Sequence, residues 1–279
     1  MNTLLFGGTD LAERIERVEM QLITAATEAA RRRVGADAFV IPIAGGAACY
    51  AEDGSPLNKV VGLGFGGVPS SDALDEIEQT FAARGTATQV ELANLADPAI
   101  GAALTSRGYQ LVSFENVLGR SLQSDLRQAT PPGVEIRLAR PDEFDAWLEV
   151  VIEGFAHPDE QGVPSHEDFP RDVIGRAIGD MAAAGVRSYV ALLEGVIAGE
   201  GSMRTMERVA QLTGAATAPR HRRRGVQTAL LSTRLSAAAE EGCDIATVVT
   251  QPGSKSQQNV QRRGFHLLYT RAVLVKPPS

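Results

Sequence analysis

The sequence has few cysteines, few aromatic residues and no long apolar run. Cys49 and Cys243 are the only two cysteines among 279 residues, too few for a disulfide framework and too far apart for a zinc or redox motif. No run of about 18 apolar residues could span a bilayer, and the first ten residues lack the basic-then-apolar layout of a secretion signal. We therefore expect a cytoplasmic protein that has no membrane partner.

The sequence also lacks an excess of positive charge. Its formal net charge is -7, and the first 130 residues hold 10 of the 27 basic side chains but 16 of the 34 acidic ones. Neutralisation of phosphates supplies most of the non-specific affinity for nucleic acid. An acidic chain is therefore not expected to bind nucleic acid, and any anion site must be local.

Hydrophobic periodicity predicts two modules of alternating helices and strands. A long amphipathic helix opens the chain, with Asp10 and Glu13 as a capping-box pair and an end at Gly35. Periodicity is lost over residues 121–133, which are rich in Ser, Thr, Pro and Gly. We predict a first domain over 1–124, a linker over 125–133 and a second domain over 134–279.

The two halves resemble each other most clearly at their ends. Residues 107–120 align with residues 263–276 at a constant offset of 156, and Arg, Gly, Leu, Val and Leu coincide. Gly85 and Gly242 end the preceding long helices at similar distances from this match. A repeat of this period indicates a duplicated domain.

A basic loop precedes the long helix of the second half. Arg220, Arg222, Arg223, Arg224 and Gly225 lie between an apolar strand and that helix. The first turn of a helix has free backbone N–H groups and a positive dipole end, which together bind anions. A solvated basic face and a nucleic-acid contact are the alternatives, and the acidic surroundings disfavour the second.

The loop resembles the Arg/Gln-x-x-Gly-x-Gly/Ala loop of the GNAT superfamily of acyl-CoA-dependent N-acyltransferases. Arg222, Gly225 and Gln227 occupy the three defining positions, with Gln227 in place of the usual small residue. The resemblance covers about residues 134–276. It implies an α+β protein of two consecutive GNAT-like domains, each a mixed, mostly antiparallel twisted sheet flanked by helices, with a degenerate first domain.

The resemblance also implies the ligand and its contacts. The second domain would bind acetyl-CoA or a related acyl-CoA and transfer the acyl group to a primary amine. The backbone at the end of the preceding strand would pair with the pantetheine arm, and the loop would hold the pyrophosphate. The residues concerned are Ala215, Ala216, Thr217, Arg222, Arg223, Arg224, Gly225, Val226, Gln227 and Thr228.

The family's usual acid, a tyrosine in the last helix, is missing, because Val260 stands at that position. Tyr269 is the substitute acid that we consider, with Ser254 and Ser256 as other nearby hydroxyls. A thiolate leaving group can also depart without an acid, since its pKa is modest. Glu200 is the candidate general base.

The acceptor is expected to be a small-molecule or peptide amine. In domains of this family the segment between the first two helices borders the acceptor, and the loop 157–170 is acidic here, which favours a cationic partner. The same loop contains two histidines, but their spacing does not match a metal site, so no metal is expected. A homodimer is possible.

Two other functions compete with acyl transfer. Because the usual tyrosine is missing and Gln227 departs from the motif, the second domain could instead be a catalytically silent CoA-binding or regulatory module. The segment 62–67 satisfies G-x-G-x-x-G, which would suit a nucleotide-binding oxidoreductase that depends on Gly64. However, Val68-Pro69-Ser70 separates the last glycine from the next helix, which disfavours that fingerprint.

Overall fold

The computed structural model describes residues 5–123, 131–157 and 169–278. Most of the predicted linker and of the acidic loop 157–170 therefore lies outside the described residues. The helices are Thr9–Val34 (α1), Ser71–Ala82 (α2), Pro98–Ser106 (α3), Phe144–Ala156 (α4), Arg171–Ala183 (α5), Val226–Glu240 (α6) and Lys255–Gln261 (α7). Among these described helices, none combines the length and apolar character that a bilayer crossing requires.

All the described strands form one sheet of 11 strands, in the order β1-β2-β3-β4-β11-β5-β10-β9-β8-β7-β6. Their bounds are Phe39–Ile43 (β1), Gly46–Tyr50 (β2), Lys59–Val61 (β3), Thr88–Ala93 (β4), Gln110–Ser121 (β5), Val134–Leu138 (β6), Arg187–Leu193 (β7), Val196–Met206 (β8), Val209–Thr217 (β9), Ile245–Thr250 (β10) and His266–Lys276 (β11). Most neighbours are antiparallel; β3–β4 and β9–β10 are parallel. The predicted α+β class is confirmed.

The last strands of the two halves exchange places at the centre of the sheet. β11 lies between β4 and β5 of the first half, and β5 lies between β11 and β10 of the second half. Glu115 of β5 is directly opposite Arg271 of β11, and these two positions differ by the 156 residues that separate the repeats. A pseudo-twofold axis thus passes between Glu115 and Arg271, and the halves share one continuous sheet.

Helices cover both faces of the sheet, because neighbouring strand residues point to opposite sides. Val117 packs in the apolar cluster under α1, while the next residue, Leu118, packs in the cluster under α6. Val60 packs in the cluster under α2 and Val61 in the one under α1. We call the side covered by α1, α4 and α5 the α1 face; α2, α3, α6 and α7 cover the other.

Three local features differ from the sequence-based expectation. β2 was not predicted, because Gly46 and the small residues after it give little strand signal. α1 begins at Thr9 with Gly8 as its N-cap and no side-chain cap, so the predicted Asp10–Glu13 capping box is wrong. β3 ends at Val61, where Gly62 adopts a positive φ of 70° and the chain leaves the sheet.

The glycine-rich segment 62–67 has a packing role. A Cβ atom placed on Gly64 would lie 2.4 Å from the Cβ of Ala96, and one on Gly66 would lie 2.5 Å from the carbonyl oxygen of Ala44. α2 starts only at Ser71, with Ser70 as its N-cap. Close contacts between loops thus account for these glycines without a dinucleotide.

Candidate functional site

A fork in the sheet opens a cleft in the second half. The parallel pairing of β9 with β10 ends at Leu212 and Val248, yet β9 continues to Thr217 and β10 to Thr250. The space between the diverging ends is a cavity of about 1130 Å³, bounded by α4, α5, α6 and α7. Beyond the fork, β9 and β10 no longer pair with each other, so backbone N–H and C=O groups that would be hydrogen-bonded in a regular sheet face the cavity.

Ala215, Ala216 and Thr217 line the cleft at the end of β9. On their other side they pair with β8, where Ala215 is opposite Gly201 and Thr217 is opposite Gly199. One edge of this segment is therefore satisfied and the other faces the cavity. Such an edge can pair with an extended ligand that carries amide groups.

The basic loop brings the start of α6 to the mouth of the cleft. Arg223 has a φ of +63° and Gly225 a φ of +82°, so the chain turns sharply before the helix begins at Val226. No side chain caps this helix, and Val226, Gln227 and Thr228 line the cleft. N–H groups in a first helical turn have no partner within the helix, so they are available to an anion in the cleft.

Gly225 is constrained by packing as well as by its backbone. A Cβ atom at this position would lie 2.4 Å from Cγ of Pro131, which belongs to the described end of the predicted linker. An L-residue is also disfavoured at a positive φ. The sequence assigned Gly225 to the close approach of a diphosphate; the structure adds the contact with Pro131.

Three of the four arginines have partners in the protein. Arg220 pairs with Glu153 at 2.8 Å and Arg224 pairs with Glu194 at 2.9 Å. The Arg222 guanidinium donates to the carbonyl oxygens of Gly154 and His157, at 3.3 and 2.5 Å. Arg222 thus ties the loop to the carboxyl end of α4, whose carbonyl groups favour a cation.

Arg223 is the arginine of this loop that stays available to a ligand. It lines the cleft, and within the part of the chain that the structure describes its guanidinium has no hydrogen-bonding partner. Arg224, by contrast, is not among the residues that line the cleft. The two neighbouring arginines therefore differ in their environment.

The described lining of the cleft is cationic, in a protein whose net charge is -7. It includes no aspartate or glutamate among the described residues. Its arginine and lysine side chains are Arg171, Arg222, Arg223, Lys255 and Arg262. A cleft with this charge favours a ligand that carries several negative charges.

Gln227, the departure from the family motif, has a hydrogen-bonding partner on α7. Its Oε1 accepts a hydrogen bond from Nδ2 of Asn259 at 2.7 Å. This contact joins α6 to α7 across the cleft. The larger side chain is therefore accommodated beside the first turn of α6.

The structure places the candidate base in the sheet next to the cleft. Glu200 of β8 is opposite Ala216, is 3% exposed and does not belong to the cleft lining. Burial raises the pKa of this carboxyl above its ordinary value, and its Oε1 has no partner among the described residues. Glu200 is thus a buried carboxyl one register position from the cleft wall.

The structure places Tyr269 away from the cleft. Its hydroxyl is buried and donates to Oε1 of Glu16 at 2.6 Å, beside Arg271. Val260 is also buried, in the core under α6. Ser254 and Ser256 do line the cleft, and the Ser254 hydroxyl caps α7 by accepting from the N–H of Gln257. Ser256 is therefore the better placed hydroxyl.

No group of three or more His, Cys, Asp or Glu side chains within the described ranges is arranged to hold a metal ion. His166 and most of the acidic loop that was weighed as a metal or acceptor site lie outside the described residues.

Comparison with known proteins gives a family match for the part of the chain that contains most of the cleft. Residues 135–255 match the family model for an acetyltransferase (GNAT) domain. The sequence has no match among the curated proteins.

Solved structures match the fold over most of the chain. A GCN5-related N-acetyltransferase from Kribbella flavida has a TM-score of 0.64 at 20% identity and covers 91% of this chain and 96% of its own. A tandem GNAT protein from the clavulanic acid biosynthesis pathway has a TM-score of 0.63 at 14% identity, with 99% and 97% covered. A GCN5-related N-acetyltransferase from Sphaerobacter thermophilus has a TM-score of 0.56 at 17% identity, with 79% and 72% covered.

Residues 135–255 therefore match a GNAT domain, the family that the loop at Arg222 resembles. Over its whole length it has the fold of a tandem GNAT protein.

Proposed function

We propose that this protein is an N-acyltransferase that transfers an acyl group from acetyl-CoA, or a related acyl-CoA, to a primary amine. The observation that carries the proposal is the arrangement in one cleft of an uncapped helix start and the free edge of β9, with cationic side chains around them. A diphosphate suits the first feature and a pantetheine arm suits the second.

Binding on these elements would orient the thioester toward the end of the fork. The first turn of α6 and Arg223 would hold the phosphates, and Ala215 to Thr217 would pair with the pantetheine amides. An acyl-CoA supplies the activated thioester, and the protein supplies orientation and removes a proton. The amine nitrogen attacks the carbonyl carbon, a C–N bond forms, the C–S bond breaks and the thiolate takes up a proton.

An amine must lose its proton before it can attack, which calls for a base. Because no described residue of the cleft lining is a carboxylate, Glu200 is proposed to act from behind Ala216 through water. Burial raises its pKa, which makes the ionised carboxyl a stronger base than an exposed carboxylate. Protonation of the thiolate is assigned to solvent or to Ser256, since Tyr269 donates its hydroxyl to Glu16.

The absence of a carboxylate from the described lining is also the observation that favours the alternative, a catalytically silent CoA-binding module. The two functions are separated by thiol release from acetyl-CoA in the presence of a panel of primary amines. The proposal predicts release that depends on the amine, with kcat lowered by Glu200→Gln and KM for acetyl-CoA unchanged. Binding of acetyl-CoA without release for any amine would establish the silent module.

A further inference from the structure

One wall of the cleft belongs to a helix of the second half that packs mainly against the first half. α5 contributes Arg171 and Ile174 to the cleft lining. Among the described elements, α1 is the one whose backbone runs close to α5 over the greatest length. The position of this wall therefore depends on the first half.

Helical spacing gives α5 two different faces. Ala177 is buried in an apolar cluster with residues of α1 and β2, and Asp180, on the next turn, is 7% exposed. Successive residues of a helix are about 100° apart around its axis, which turns Ala177 and Asp180 away from Arg171 and Ile174. One face of α5 thus borders the cleft, and the first half covers the other.

The turn that follows β2 lies beside the beginning of α5. A Cβ atom on Gly54 of this turn would lie 4.0 Å from Cδ of Pro170, the N-cap of α5. Pro170 comes directly before Arg171, which lines the cleft. The first half therefore reaches the end of α5 that borders the cleft.

Glu52 of the same turn links α1 to α5 through two ion pairs. Its Oε1 accepts a hydrogen bond from Arg33 of α1 at 2.6 Å, and its Oε2 accepts one from Arg176 of α5 at 2.8 Å. Arg33 also donates to Asp180 of α5 at 2.7 Å. The side chains of Glu52 and Asp180 are 17% and 9% exposed. A network of largely shielded charges that share partners contributes more than an isolated surface pair.

The contacts of α5 with the second half are of a different kind. A Cβ atom on Gly175 would lie 3.1 Å from Cδ2 of Leu148 of α4, and Ile178 packs against an apolar cluster under the same helix. Apolar packing has no preferred direction, whereas a hydrogen bond fixes the relative position of its partners. The ion pair of Arg171 with Glu149 of α4 is exposed, and exposed pairs contribute little. The network with the first half therefore decides where α5 lies.

We propose that the first half positions the acceptor wall of the cleft through α5, and that Glu52 is the positioning residue between the two halves. This inference rests on the proposed acyl transfer. The start of α6 and the edge of β9 are assigned to the acyl-CoA, so the wall formed by α5 is left for the amine. A displacement of about 1 Å at a substrate site can lower the rate about a hundredfold, so α5 must be held accurately.

The test measures thiol release from acetyl-CoA by the full-length protein with pentylamine, phenethylamine and lysine methyl ester. Glu52→Arg places a positive charge against Arg33 and Arg176. It should lower kcat/KM about tenfold for each amine that the natural protein turns over. Arg176→Glu places a negative charge against Glu52 and Asp172 and should act in the same direction. The dissociation constant of acetyl-CoA, measured by calorimetry, should not change, because both residues lie outside the cleft lining.

The double variant separates positioning from general damage. Glu52→Arg together with Arg176→Glu restores an ion pair of reversed polarity between the turn and α5, while Arg33 keeps its contact with Asp180. It should recover most of the lost kcat/KM, since the two substitutions act through one shared contact.

A matched control breaks another contact between α1 and the second half. Glu207, in the turn between β8 and β9, pairs with Arg17 of α1 at 2.8 Å and lies at the end of β9 away from the fork. Glu207→Arg changes the net charge as Glu52→Arg does and should not alter kcat/KM for the amines. Thermal unfolding of each variant checks that it is folded.

Amide hydrogen exchange reports how firmly α5 is held, independently of turnover. Glu52→Arg should speed the exchange of residues 171–183 and leave that of residues 226–240 in α6 unchanged. The double variant should restore slow exchange in α5.

Unchanged kcat/KM in both single variants would overturn the inference, and so would single losses that multiply in the double variant. An equal loss in Glu207→Arg would do the same, because it would show an effect of the halves' association in general. Absence of acetyl-CoA binding or of turnover in the natural protein would instead overturn the proposed function on which the inference rests.

Discussion

At the scale of single residues, the loop before α6 assigns different tasks to side chains of the same type. Arg222 fastens the loop to the carbonyl oxygens of Gly154 and His157, while Arg223 lines the cleft. Arg224 is paired with Glu194 outside it. Three arginines of the basic run thus stabilise the loop through contacts within the protein, and Arg223 is available to bind a ligand.

Gly225 has a left-handed backbone conformation and a close neighbour at its Cβ position. Its replacement should therefore lower the free energy of unfolding more than replacement of a left-handed glycine that has no such neighbour. Gly242 has nearly the same φ, +80° against +82°, and nothing lies within 4 Å of its Cβ position. We predict that Gly242→Ala lowers the free energy of unfolding by about 1–2 kcal/mol. Gly225→Ala should lose roughly 1–3 kcal/mol more, because of the overlap with Pro131.

Urea denaturation of the two variants measures this difference directly. Equal losses would show that Pro131 moves away freely, and that the end of the linker does not hold the loop.

The anion loop could be predicted from the sequence because its chemistry is local. Arginines, a glycine and a helix start are contiguous between Thr217 and Thr228, and their spacing carries the signal. The environments of Glu200 and Tyr269 depend on which strands and helices pack against them. Sequence spacing cannot predict the contact between Tyr269 and Glu16, because they are 253 positions apart.

At the scale of elements, alternation and helical periodicity predicted the described helices and all the described strands except β2. The exchange of β5 and β11 was not predictable in this way. The alternation of apolar and polar residues shows which side chains of a strand share a face. It does not show which strands lie next to it in the sheet. The similarity of residues 107–120 to 263–276 indicated a repeat, and only the structure shows that the two repeated strands pair with each other.

The exchange makes each half dependent on the other. Expressed alone, residues 134–279 would contain β11 without β4 or β5 on its two sides, and β10 without β5. Unpaired strand edges of this length promote aggregation. We predict that this fragment does not form a stable folded monomer, and that co-expression with residues 1–123 restores a soluble complex.

Size-exclusion chromatography and circular dichroism of the fragment, alone and with its partner, provide the measurement. A monomeric 134–279 fragment with a cooperative unfolding transition would contradict the prediction.

At the scale of the whole molecule, the second half carries the cleft, and the first half carries a cluster of four carboxylates under α1, namely Glu16, Glu19, Glu91 and Glu115. The cluster could not be predicted from the sequence, because its carboxylates lie as far apart as Glu16 and Glu115 and meet only through α1, β4 and β5. Carboxylates with raised pKa values are unfavourable for stability when ionised.

The central claim is that the cleft between β9 and β10 binds an acyl-CoA through the start of α6. The most direct measurement is calorimetric titration of the full-length protein with acetyl-CoA, repeated with Arg223→Glu and Arg224→Glu. These variants make the same change of charge at adjacent positions, of which only Arg223 lines the cleft.

We predict micromolar binding to the natural protein, with the dissociation constant raised about tenfold or more by Arg223→Glu, since a charged contact to a phosphate is reversed. Arg224→Glu should change it much less. Absence of binding in folded protein, or equal losses in the two variants, would contradict the account.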